Sequence, residues 1–185
     1  MSDSMRNGVD LDALKTTVEA VRDDRSLGEV TFAVNGEWSG GFRVDSSTGA
    51  LAQGGQINSE REGKFTMASD EPEALLGTDT AVSPAEYVLQ ALAGCYTVTL
   101  AANAAARGID LKSYRLHLEG DFDLASFLGI APDAPPGASQ IRVDVTLDAP
   151  GVDRHELEDL VDVVVQRSPI RDTLARPVEV VTKLT

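Results

Sequence analysis

The chain has 185 residues, 42% of them hydrophobic, and a formal net charge of -14. That apolar content suffices for a packed core and excludes a disordered chain, while the charge excludes nonspecific binding to nucleic-acid phosphates and to anionic membranes. A lone cysteine excludes a disulfide framework within one chain. Only Lys15, Lys64, Lys112 and Lys183 are lysine, so 12 of the 16 basic residues are arginine. Scarce lysine on an acidic surface suits a salt-rich cytoplasm, where screening relieves self-repulsion. No apolar run is read as approaching the ~20 residues of a bilayer span, and MSDSMRNGVDLDALK lacks the basic-then-apolar order of a signal peptide. The expected location is the cytoplasm.

Asp10 to Arg22 places Leu11, Leu14, Val18 and Val21 at helical spacing behind Asp10 as cap. From Glu29 to Met67 the pattern changes to alternation. EVTFAVNGEW, GGFRVDS and GKFTMAS read as strands of an antiparallel meander, punctuated by Asn35-Gly36, Gly40-Gly41, Thr48-Gly49 and Gly54-Gly55. Those glycines are turn residues, because no glycine pair leads into a helix as a phosphate loop does. Asp70 to Val82 reads as a loop, with Asp70-Glu71-Pro72-Glu73 as a solvated acidic run.

Ser83-Pro84-Ala85-Glu86 is a strong helix start: serine at the cap, proline at the first position, glutamate three residues after the cap. The helix runs to Arg107 and stops at Gly108. It is about 36 Å long and apolar nearly all round, which calls for burial on most sides. SYRLHLEG alternates Tyr114, Leu116 and Leu118 against Arg115, His117 and Glu119. Phe122 to Ser139 is a connection with a helical turn at Leu124 to Leu128. It reads either as a loop packed on the core or as a lid whose walls are Phe122, Phe127, Leu128 and Ile130. IRVDVTLDA is a strand, Asp153 to Gln166 a helix, IRDTLA a short helix after Ser168-Pro169, and PVEVVTKLT a closing strand. Partly segregated strands and helices give an α+β class. A small sheet covers one face of the long helix, and two such helices side by side in a dimer would cover the other.

Cys95 lies in that helix and shares a face with Val88, Ala91, Leu92, Val98, Thr99 and Ala102. It reads either as an inert thiol in apolar surroundings or as a reactive one, which requires a nearby cation. Glu86 is accounted for by the capping box alone, and Ser168 by its place as cap before Pro169. His117 and His155 read as surface residues, and two isolated histidines with one cysteine make no metal pattern.

PAEYVLQALAGC, the helix to RGIDL, the strand ending LEGDFDL, and RSPIRDTLARPVEV together resemble the OsmC/Ohr family, osmotically inducible protein C and the organic hydroperoxide resistance proteins. The resemblance covers roughly residues 28–185, leaving 1–27 as an N-terminal helical extension. It implies an intertwined α+β homodimer, with antiparallel sheet packed on two long central helices. It also implies a thiol-dependent peroxidase that reduces organic hydroperoxides without a cofactor. Cys95 matches the family's attacking cysteine and Glu86 its glutamate. Arg43 is the first choice for its arginine and Arg61 the second. The family's second cysteine, in a CP dipeptide, is replaced by Ser168 in Ser168-Pro169. A hydroxyl cannot resolve a sulfenic acid into a disulfide, so the resemblance leaves the cycle to an external thiol reductant. Nine residues at about 100° each put Glu86 half a turn from Cys95 and about 13.5 Å along the axis. If the two share a site, the glutamate is the partner's Glu86. The other readings are a non-catalytic binder of a small apolar ligand, and a stress-related structural protein whose cysteine is core.

Overall fold

A computed structural model describes residues 4–185 of the chain, so the first three residues of the expected N-terminal extension lie outside the described residues. In chain order the elements are β1 (Met5–Arg6), β2 (Val9–Asp10), α1 (Leu11–Asp23), β3 (Val30–Thr31), β4 (Val34–Gly40), β5 (Arg43–Thr48), β6 (Leu51–Gln53), β7 (Gln56–Asn58) and β8 (Thr66–Ser69). There follow α2 (Pro84–Ala106), β9 (Ser113–Asp121), α3 (Leu124–Phe127), β10 (Gln140–Asp148), α4 (Arg154–Arg167) and α5 (Pro169–Ala175). All pairings between these strands are antiparallel, and the class is α+β as expected. The chain forms two compact units, Asp12–Tyr87 and Val88–Thr185, the latter together with the described part of residues 1–11.

In the larger unit, Leu92, Tyr96, Leu100 and Ala104 recur every four residues along α2 and are buried. They form one cluster with Ile109, Ala149 and the α4 residues Leu160 and Val164. β9 and β10 make a hairpin in continuous register from Ser113↔Asp148 to Asp121↔Gln140. Its inner face packs Tyr114, Leu116, Leu118, Ile141, Val143 and Leu147 against that cluster. The outer face carries Arg142, whose Nε donates to Glu119 at 3.1 Å and whose Nη2 donates to Asp121 at 2.9 Å. α2 ends as the sequence indicates: Gly108 takes φ 77 and the Ile109 N–H returns to the Ala104 carbonyl at 2.9 Å. The short β1–β2 hairpin, unforeseen in the sequence, is pinned to this end. The Asn7 side chain donates to the Ile109 carbonyl at 2.8 Å and accepts from the Leu111 N–H at 2.9 Å.

Four expectations about this unit need correction. α2 is long and apolar enough to cross a membrane by length and composition, contrary to the reading that no stretch approaches a span. Its buried stripe makes it the core helix of the unit. It is not covered on most sides within one chain: Gln90, Ala91, Gly94 and Thr97 are exposed, and Val98 is 71% exposed. Residues 177–185 form no strand. A ladder needs a partner edge, and no described strand of this chain pairs with the segment, so Val178, Val180 and Leu184 stand in solvent. The connection after β9 is closed locally by the Ser139 N–H on the Asp121 carbonyl, yet Phe127 and Ile130 are exposed rather than packed.

In the smaller unit the meander forms two three-stranded sheets, β3-β6-β7 and β4-β5-β8. The single strand expected over EVTFAVNGEW is broken at Phe32-Ala33. Gly49 explains the break. Its N–H bonds the Ala33 carbonyl at 2.8 Å, and a Cβ there would sit 2.7 Å from that of Ala33, so the chain bends where the pairing changes partner. Several apolar side chains of this meander, Phe32, Val34, Trp38 and Ile57, are exposed.

Candidate functional site

Cys95 sits mid-way along α2, half-buried, between the core residues Leu92 and Tyr96. The residue against it is Ser168, only 1% exposed, at the junction of α4 and α5. Ser168 ends one helix and starts the next. Its N–H closes α4 on the Val164 carbonyl at 3.0 Å, and its Oγ accepts the Arg171 N–H at 3.3 Å to cap α5. Pro169 at the first position of α5 favours this geometry. The remaining proton of that hydroxyl goes to sulfur: Ser168 Oγ donates to Cys95 Sγ at 3.1 Å. Of the four site residues indicated by the sequence, these two are brought into contact. Tyr96, which sequence reasoning missed, lies beside them. Burial pushes its phenol above the ordinary tyrosine value; the positive charge of Arg171 opposes this and Cys95 adds to it.

Arg43 and Glu86 lie in the smaller unit. Arg43, on β5, is engaged twice. Its Nη2 reaches Asp45 Oδ1 at 2.6 Å, and its Nη1 donates to Thr80 Oγ1 at 3.0 Å. The hydrogen bond to Asp45 raises the guanidinium above its ordinary value, and the same bond holds the Asp45 carboxyl below its own. Thr80 in turn belongs to the shell of Asp70. This carboxylate, read from sequence as part of a solvated run, is buried and accepts from the N–H groups of Glu71, Thr78 and Thr80 and from the hydroxyls of Thr78 and Thr80. These bonds, that from the Thr78 hydroxyl foremost, hold the Asp70 carboxyl well below the usual carboxylate range. The loop is organised around an ion instead of being exposed with it. An acid followed at eight and ten residues by threonines is the only trace of this in the sequence.

Glu86 completes the capping box foreseen for α2. Its Oε2 accepts the Ser83 N–H at 2.9 Å and the Ser83 Oγ accepts the Glu86 N–H at 3.2 Å. Bonding to the Ser83 N–H lowers its carboxyl below the ordinary glutamate value. Tyr87 ties the same turn to β8 by donating to the Ala68 carbonyl at 2.9 Å. Arg61 places its guanidinium 5.3 Å from the centre of the Phe65 ring. His117 and His155 are exposed and each faces a carboxylate, Glu119 and Asp159 respectively. Among the described residues no group of three or more His, Cys, Asp or Glu side chains converges to hold a metal ion.

No curated protein matches the chain significantly by sequence. Among solved structures the chain is similar to an OsmC-like protein from Mycoplasma pneumoniae, at 18% identity and a TM-score of 0.61, over 78% of this chain and 87% of that one. It is also similar to an organic hydroperoxide resistance protein OsmC from Legionella pneumophila, at 17% identity and a TM-score of 0.55, over 78% and 88% of the two chains. A third is an organic hydroperoxide resistance protein from Elizabethkingia anophelis, at 15% identity and a TM-score of 0.50, over 77% and 86%. At these identities the likeness is one of fold. A family model for OsmC-like proteins matches residues 77–183, more than half of the chain and all of the Cys95–Ser168 site. The protein is a member of the OsmC-like family.

Proposed function

We propose that this protein reduces organic hydroperoxides through Cys95 alone. The observation that carries the reading is the part-buried contact of Ser168 Oγ with Cys95 Sγ, because Ser168 occupies the position that the family resemblance gives to a second cysteine. The sulfur attacks the distal oxygen of the peroxide. An S–O bond forms and the O–O bond breaks, so that Cys95 becomes a sulfenic acid and the hydroperoxide leaves as an alcohol. Ser168 keeps a hydroxyl on the sulfur but offers no thiol. An external thiol therefore attacks the sulfenic acid, releasing water and leaving a mixed disulfide, and a second thiol restores Cys95 as the external pair becomes a disulfide. A thiol-rich, reducing cytoplasm supplies that reductant.

In this reading the working form is a homodimer. The exposed outer face of α2 and the exposed apolar side chains of the meander supply the surface for a second copy, and Arg43 and Glu86 serve the site within that assembly. One observation favours the alternative of a non-catalytic binder of a small apolar ligand: Arg43 is already neutralised by Asp45. Hydroperoxide consumption with a dithiol as reductant separates the two. The peroxidase reading expects turnover that falls to background, on the order of 100-fold or more, in Cys95→Ser. Turnover equal in both proteins would remove it and leave the binder.

A further inference from the structure

Resting on the reading in which Arg43 serves the Cys95 site, we infer that Thr80, presented by the loop built around Asp70, is a positioning residue that sets the direction of the Arg43 guanidinium. All three residues lie in the smaller unit. The guanidinium is held from two sides. Its Nε and Nη2 donate to the two oxygens of Asp45 at 3.4 and 2.6 Å. Its Nη1 donates to the Thr80 carbonyl at 3.4 Å and to Thr80 Oγ1 at 3.0 Å. A guanidinium has no lone pair to offer, so Thr80 Oγ1 can only accept from it. The hydroxyl proton must point elsewhere, and the anionic Asp70 Oδ2 lies 3.0 Å away to take it, nearer than Thr78 Oγ1 at 3.2 Å. A buried carboxylate thus keeps a Thr80 lone pair turned toward Arg43. The loop that delivers Thr80 is strained. Leu76 and Asp79 hold left-handed φ values of 69° and 52°, and a Cβ at Gly77 would lie 1.7 Å from the Glu71 carbonyl oxygen. Such backbone persists only where its surroundings over-determine it. The Asp70 shell does so, because the carboxylate also takes the N–H groups of Glu71, Thr78 and Thr80. The side chain that this turn then reaches, across 37 positions of sequence, is Arg43.

The test is nuclear magnetic resonance of the Arg43 guanidinium, identified by the signals lost in Arg43→Lys. Exchange of its two Nη groups, by rotation about the Nε–Cζ bond, is expected to speed up about fivefold in Thr80→Val, the scale of one net hydrogen bond. Thr80→Ala is expected to match it, and Thr80→Ser to keep the wild-type rate. An unchanged rate in either hydroxyl-free variant would overturn the inference, as would fast exchange in Thr80→Ser. Hydroperoxide turnover separates this from the function on which it rests. Thr80→Val should lower kcat/KM about fivefold in the wild-type background and not at all in Arg43→Gln, because Thr80 acts through Arg43. Equal losses in both backgrounds would mean a merely structural Thr80 and overturn the inference. Faster guanidinium exchange in Thr80→Val, with turnover unaltered in Thr80→Val and Arg43→Gln alike, would leave Thr80 in its role and remove Arg43 from the reaction proposed above.

Discussion

Ser168 is the residue on which the chemistry of the site turns. It bonds the Val164 carbonyl, the Arg171 N–H and Cys95 Sγ at once, while its own carbonyl receives the Asp172 N–H at 3.0 Å. The cap was legible in Ser168-Pro169, because the residue types state their own geometry. The contact with Cys95 was legible only through the family resemblance, since the two residues lie 73 positions apart. Ser168→Ala is expected to lower stability by about 1–2 kcal/mol in urea titration, from the lost cap and the lost buried hydrogen bond. Ser168→Cys puts a second sulfur where an oxygen already lies 3.1 Å from Sγ, so a small side-chain rotation reaches disulfide distance. One equivalent of an organic hydroperoxide should convert that variant to an intramolecular disulfide, seen as the loss of two hydrogens in intact mass. A sulfenic acid that persists in Ser168→Cys would contradict the geometry.

Helix α2 shows what a sequence reveals about an element and where it stops. Ser83, Pro84 and Glu86 announced its start and Gly108 its end, because caps are local devices with fixed spacing. Ser83→Ala should cost about 1 kcal/mol, measured by thermal unfolding. Asp70 was misread because its partners are supplied by a turn that no local rule joins to it. Its carboxyl ionises more readily folded than unfolded. It therefore stabilises the fold above the unfolded value of about 3.9, and this contribution is lost as pH falls below about 4 toward the folded value. Asp70→Asn is expected to be less stable than the wild type at neutral pH, with the gap narrowing as pH falls from about 5 to about 2. A gap constant over that range would mean that the charge of Asp70 contributes nothing. The closing strand failed for a related reason. Alternation in PVEVVTKLT specifies a strand only when an edge is present to pair with it, and one chain alone does not pair it.

At the scale of the whole molecule, alternation and turn glycines gave the α+β class, but burial did not follow from alternation. Trp38 is 75% exposed on a strand read from its alternation, and α2 has an uncovered side. Both are accounted for if a second copy completes the core, so the solution mass is expected to be twice the chain mass of 19.6 kDa. A monomer in sedimentation equilibrium at micromolar concentration would contradict that. The charge of -14 should make the fold salt-stabilised, with the melting temperature rising between about 0.1 M and about 1 M salt as repulsion is screened. The most direct test of the central claim is intact mass and thiol titration after a small excess of organic hydroperoxide, with and without a dithiol. A working Cys95 gains one oxygen within seconds to minutes, loses its free thiol, and recovers it with the dithiol. A thiol untouched for hours would make Cys95 a packing residue and contradict the proposed function.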